Sequence, residues 1–364
     1  MMIVDAHEDI AYNAWAKGRD FFLSAHEKRA REIAEGQPAD RDLCLVGLPD
    51  LLRGGVGLVI ASIYVEPARP GGLAEAARIP SARAGFSYAT PEEAQAQALL
   101  QLDYYRRITA DPRLRLIETA EDLDSLDCAG TSSPSPPVGI IMDMEGAEAI
   151  LSPDEVADWQ QRGVRMIGLT WATANRYAGG NHEPGPLTDD GRLLLREMER
   201  ARLILDTSHL AEESFFQALD AFGGPVVASH ANARALVPDQ RHLSDAMMRA
   251  IVERDGVIGV VPFNKFLKAD WTQEQGKEAV TLKDVVRHVD HICQVAGDAS
   301  HVGLGSDFDG GIGMEATPAG IDTVADLRLI GPALAAAGYP PAAVDNVLGG
   351  NWLRFLRRNL PRSS

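Results

Sequence analysis

The chain is poor in the features that mark several protein classes. Cysteine is nearly absent: Cys44, Cys128 and Cys293 are odd in number, far apart and never in a C-x-x-C spacing. That excludes a disulfide framework and a structural zinc site, and it predicts a reducing compartment. No stretch reaches the ~18 uninterrupted apolar residues of a membrane-spanning helix. The first residues, MMIVDAHEDI, lack a basic segment followed by a long apolar run, so a cytoplasmic protein is expected. Positive charge is scarce: 35 basic residues face 52 acidic ones, for a net charge of −17 over 364 residues. Such an excess repels phosphate backbones and anionic lipid, so neither nucleic acid nor membrane is an expected partner. No helix-opening G-x-G-x-x-G and no G-x-S-x-G elbow occurs, which leaves little support for a phosphate-binding fingerprint or a covalent serine mechanism.

What is present is an ordinary globular composition, 45% hydrophobic and 24% charged, long enough to bury a large core. Eight short apolar runs recur: 3–7, 56–66, 138–146, 165–171, 203–209, 225–231, 256–263 and 301–310. Most are continuously apolar, as in strands of a parallel sheet covered on both faces. Helical patterns intervene at 91–108, 191–202, 211–222, 244–255 and 281–297. Ser152-Pro153-Asp154-Glu155 carries the signature of a capping box. Eight strands alternating with helices predict an α/β fold, a (β/α)8 TIM-like barrel, over a doubly wound sheet. One barrel domain is expected over 1–364. It carries a charged helical insertion at about 16–45, a Gly/Pro/Arg-rich loop at about 67–90, a linker at 131–137 and a C-terminal helix within about 341–360.

The chemistry-bearing residues fall at one end of these runs. His7 ends the first, with Asp9 two residues on. Glu145 lies near the end of the third, His209 ends the fifth, His230 is near the end of the sixth, and Asp307 near the end of the eighth. In a barrel all of them face the C-terminal mouth, where such enzymes place their sites. Each alone has a bland reading as a cap, a turn residue or a structural histidine. Together, three imidazoles and three carboxylates in one cavity call for a divalent cation. Alternate residues His7 and Asp9 can reach one metal, His209 and His230 a second, and Glu145 can bridge the two. This donor set suits Zn2+ ahead of Mn2+ or Fe2+, giving two Zn2+ per chain. No lysine lies within the runs, so a carbamylated lysine bridge is not expected.

With those residues in place, His7-Glu8-Asp9, MEGAE (144–148), DTSHL (206–210), SHANARAL (229–236), Arg241, SDFDG (306–310) and LGGNW (348–352) resemble the renal or membrane dipeptidase family, peptidase family M19, in order and spacing. The resemblance runs from about residue 3 to 356. It implies a metallo-dependent hydrolase barrel with a binuclear zinc centre that hydrolyses dipeptides through a metal-bridging hydroxide and accepts a D-residue on the C-terminal side. It also implies a homodimer. By the same resemblance Arg241 would hold the substrate carboxylate, and Asp307 would be the acid/base group. One position departs from the animal members: where they carry a histidine after Leu-Thr, this chain has Trp171. Trp171 can donate one N–H but cannot titrate, so Asn175 or His182 is expected to supply a donor to the substrate. A related amidohydrolase acting on N-acyl amino acids or lactones, and an inactive metal- or peptide-binding protein, are the alternative readings.

Overall fold

A computed structural model of the chain describes residues 2–68, 86–129 and 136–362. Eight parallel strands make the barrel: β1 (Ile3–Glu8), β2 (Val56–Tyr64), β3 (Val138–Glu145), β4 (Val164–Gly168), β5 (Ile204–Asp206), β6 (Val226–Val227), β7 (Ile258–Val260) and β8 (Val302–Leu304). Each pairs with the next in chain order from β1 to β6, and β7 pairs with β8, which returns to β1 through Asp5 and Leu304. The remaining seam closes where Ala228 bridges Ile258, with Gly259 N donating to Ala228 O at 2.8 Å. All eight runs are therefore strands of one TIM-like barrel. Several strands are shorter than their runs, because the last residues of the fifth, sixth and eighth runs have already turned out of the ladder. His7 and Glu145 lie inside strands, whereas His209, His230 and Asp307 sit in the turns that follow.

The inward columns follow from the two-residue repeat of a strand. Val4 and Ala6, Leu58 and Ile60, Ile141, Met166, Ile204 and Val227 pack together with Trp352 and Phe355. These apolar residues fill the lower barrel. Continuing the same columns upward brings Ser62 and Tyr64, Asp143 and Glu145, and Asp206 toward the mouth. On β1 the column Val4–Ala6 would lead to Glu8, not to His7. The register slips between Asp5 and Glu8, where three residues of β1 match two of β2, Val59 to Ala61. This bulge resets the parity and brings His7 inward.

The C-terminal segment forms helices Pro341–Asp345 and Asn351–Asn359, joined by a π-turn at Asn346–Gly350. Asn351 donates to Val302 O at 2.8 Å and Trp352 Nε1 to Leu304 O at 3.1 Å, so the LGGNW motif braces β8 from below. The 16–45 insertion holds one helix of its own, Ala25–Ala34, followed by turns. One local expectation changes, at the capping box. The capping box at Ser152–Glu155 does not form, because Glu155 Oε2 instead accepts from Leu151 N at 3.1 Å and Gln95 Nε2 at 2.8 Å. True capping boxes occur at Ser24–Glu27 and Thr90–Glu93. Most of the loop expected at 67–90 and the linker at 131–137 lie outside the described residues. The ends of the former, Glu66–Pro67 and Ser87–Tyr88, pair as a short parallel ribbon.

Candidate metal centre and active site

Three histidines converge on the two oxygens of Glu145. His7 Nε2 lies 3.3 Å from Oε2, while His209 Nε2 and His230 Nε2 lie 3.0 and 3.6 Å from Oε1. The carboxylate thus faces His7 with one oxygen and the other two imidazoles with the other. His209 Nε2 and His230 Nε2 stand 2.9 Å apart. Their Nδ1 atoms are already engaged, by Asn181 Oδ1 at 3.3 Å and by Ser229 Oγ at 2.7 Å. With Nδ1 as the donor on each ring, both Nε2 lone pairs point at the same space, an arrangement that needs a cation between them. Ligand atoms of His7, Glu145 and His230, and of His7, Asp9 and Asp307, lie within 4.8 Å of one another. Both ring nitrogens of His7 are buried and lack a hydrogen-bond partner. These residues fit bound metal.

The electrostatics agree. Burial raises Asp9 to about 6 and lifts Asp307 well above the carboxylate range. Burial also lowers His209 to about 4 and holds His230 well below its ordinary value, so both imidazoles are neutral at pH 7. Glu145 stays ionised despite its burial because His7 and His209 hold its pKa down. His7 differs: although burial lowers it, Glu145, Asp9 and Asp307 raise it well above its ordinary value, so a proton holds the place that a cation would take among these carboxylates.

Outer contacts hold these side chains. Asp206 accepts from Ser208 Oγ at 2.7 Å, from Ser229 N at 2.9 Å and from Ser229 Oγ, which in turn faces His230 Nδ1. Ser62 Oγ donates to Asp9. Asp206, Ser229, Asn181 and Ser62 were not singled out as site residues in the sequence. Asp206 carried a signal, since a charged residue on an inward strand column needs a buried polar partner.

A cavity of about 370 Å³ opens beside the cluster, a size that suits a small molecule. Asp9, Glu145, His209, Asp307 and Arg241 contribute to its wall, with Tyr12, Tyr64, Trp171, Phe263 and Phe266 as the aromatic part. Arg241 is 5% exposed, and it donates to Ser208 O at 2.8 Å and to His230 O at 2.9 Å. The guanidinium is therefore aimed by the backbone of the two histidine turns. Trp171 is half-buried, its ring 5.2 Å from Tyr64 and 6.0 Å from His209. His182 lies on the same wall and is exposed. Asn175 is a correction: it does not face the cavity. Its Nδ2 donates to Glu148 Oε1 at 2.9 Å and Leu169 O at 2.8 Å, and its Oδ1 accepts from Tyr177 N and Ala178 N. With those contacts made, its amide braces the loop after β4 and is not available to a substrate.

The family model of the membrane dipeptidases, peptidase family M19, matches residues 1–361. The chain belongs to that family. It is a metallo-dipeptidase by class, a hydrolase of peptide bonds, and the family implies bound metal and a small peptide substrate. Among relatives, dipeptidase tcpJ of Claviceps purpurea is 29% identical over 319 residues, covering 86% of this chain and 68% of that protein. Among solved structures, dipeptidase AC, a family M19 metallopeptidase, superposes with a TM-score of 0.78 at 27% identity over 99% of both chains. A metallopeptidase of Rhodobacter sphaeroides, bound to a phosphinate mimic of the dipeptide L-Ala-D-Ala, matches with the same TM-score, identity and coverage. No helix among the described residues is long and apolar enough to cross a membrane.

Proposed function

We propose that this M19 member is a zinc-dependent dipeptidase acting on L-Xaa-L/D-Xaa substrates, with two Zn2+ per chain. His7 and Asp9 would hold one ion, His209 and His230 the other, and Glu145 both. The observation that carries this reading is the division of Glu145, one oxygen toward His7 and the other toward His209 and His230. Bound divalent ions supply Lewis acidity and a lowered water pKa. The residues supply the rest. Asp307, on the cavity wall beside Asp9, takes a proton from the attacking water and passes it to the leaving amine. Arg241 pairs with the substrate's C-terminal carboxylate and so selects dipeptides over longer peptides. Trp171 and Tyr64 wall the pocket on the side where the animal members carry a histidine. The phosphinate-bound relative supports a D-residue at the C-terminal position. The scarcity of cysteine supports a cytoplasmic location.

Elemental analysis of protein purified without added metal, run beside a panel of L,L- and L,D-dipeptides, an N-acyl amino acid and a lactone, tests the assignment. Close to two ions per chain, mostly zinc, and turnover confined to free dipeptides are expected. Full activity after chelation, or turnover only of the lactone or N-acyl substrate, overturns it. Protons compete with metal both at His7, which Glu145, Asp9 and Asp307 hold well above its ordinary value, and at Asp9, raised to about 6, so affinity for the ion at that position is expected to fall steadily as pH is lowered, starting above 6. A metal titration between pH 5 and 8 reads this directly.

Arg241 acts in binding. Arg241→Gln is expected to cost about 2–4 kcal/mol in kcat/KM on free dipeptides, as for a buried charge pair losing one partner. Amidated dipeptides should lose much less. Equal loss on both would mean that Arg241 only braces Ser208 and His230.

A further inference from the structure

Asp9 and Asp307 belong to different turns, one after β1 and one after β8, yet their carboxylates must meet at one place. Among the described residues no side chain hydrogen-bonds the Asp307 carboxylate, so its position is set by its own backbone. That backbone is strained: Asp307 and Asp309 both adopt left-handed conformations, with φ of 57° and 64°. Such conformations persist in non-glycine residues only where the surroundings impose them.

The surroundings here are a buried network outside the cavity. Asn13 Nδ2 donates to Asp9 O at 2.9 Å and to Asp309 O at 3.0 Å, stapling the two turns together. Asn13 Oδ1 accepts from Arg19 Nη1 at 3.0 Å. Arg19 is 5% exposed and lies 3.7 Å from Asp309 Oδ1. Asp309 accepts from Leu45 N at 2.7 Å, from Val46 N at 3.2 Å and from Cys44 Sγ at 3.2 Å. Arg19, Cys44, Leu45 and Val46 all come from the insertion after β1 and its exit. At Gly310 a Cβ would collide with oxygens of both Asp307 and Asp9, so the closeness of the turns is built into the sequence there.

We propose that Asn13, Arg19 and Asp309 are positioning residues that hold Asp307 in register with Asp9, and that this is what the insertion after β1 contributes to catalysis. The inference rests on the role assigned to Asp307 above. Ser306 bound to Asp5, the Glu8–Phe308 bridge and Asp307 N to His7 O at 3.1 Å tie the strand side of the turn that carries Asp307 to β1, and the Asn13 staple fixes its far side, at Asp309, against Asp9.

The test is a double-mutant cycle on the metal-loaded enzyme, with metal content measured for every variant. Asn13→Ala and Asp309→Asn are each expected to lower kcat by roughly 10–100-fold, the usual effect of losing an outer-shell contact, with KM changed less than about threefold. In an Asp307→Asn background the same substitutions should lower kcat by less than about threefold, because the residue they position is already disabled. Should Asp309→Asn fail to fold, Asn13→Ala, which removes no charge, completes the cycle alone. Full additivity in the two backgrounds, or an Asn13→Ala enzyme with wild-type kcat, overturns the positioning role. If Asp307→Asn itself retains wild-type kcat, the role of Asp307 falls first and the clamp falls with it.

Discussion

Glu145→Gln is expected to empty at least one metal position and to reduce turnover to background. An amide is neutral and offers one acceptor oxygen where the carboxylate offers two. In this site both are used: Oε2 serves the His7 side and Oε1 the His209–His230 side. With the bridge gone, the two Nε2 atoms 2.9 Å apart keep their converging lone pairs without the anion that completes the donor set. Metal ions contribute several kcal/mol of transition-state stabilisation in hydrolases of this kind, so losing them corresponds to roughly 10³-fold or more in kcat. Elemental analysis and kcat on one preparation decide the matter. Two ions per chain with wild-type turnover would show that Glu145 is not the bridge.

Asp307→Asn is the second large effect, and it should look different. Asn is nearly isosteric and can keep the strained turn, so both metals and binding of a phosphinate dipeptide analogue are expected to survive. What is lost is a group able to carry a proton. Burial, with Asp9 and Glu145, drives the Asp307 carboxyl well above its ordinary range against the opposing pull of His7 and Arg241, so its base form calls for the bound cations, which favour the ionised carboxylate. Removing a general acid/base of this kind lowers kcat by roughly 10²–10⁴-fold. Loss of metal from the variant would make Asp307 a ligand, and unchanged kcat would remove it from the reaction.

The fold was legible because its signal is local. Each apolar run reports burial on both faces of a strand, and the spacing between runs leaves room for a helix. That His7, Asp9, Glu145, His209, His230 and Asp307 would gather at one end was legible too, since ionisable residues at the mouth end of apolar runs have few other reasons to be there, whereas Arg241 was singled out only by the family resemblance. The structure brings all seven to one cavity wall or cluster. Asn175 went astray because its four contacts, to Glu148, Leu169, Tyr177 and Ala178, are made by the folded path of a loop that has no periodicity to read. The capping signature at Ser152–Glu155 failed for a related reason: Gln95, 60 residues away along the chain, competes for the glutamate.

By itself, the amino-acid order determined the number and sequence of barrel strands, the donor types and their placement at one end of the barrel. Only the tertiary structure decided how those donors meet. The bulge in β1 depends on its pairing with β2, and it reverses which side chains face inward from His7 onward. The relay from Asp206 through Ser229 to His230, and the staple from Asn13 across Asp9 and Asp309, join residues 20 to 300 positions apart. Hydrogen bonds of that span leave no periodic trace in a sequence, because neither partner's neighbours along the chain are constrained by the contact; the relay exists only once β5 and β6 pair, and the staple only once barrel closure has brought the first strand against the last.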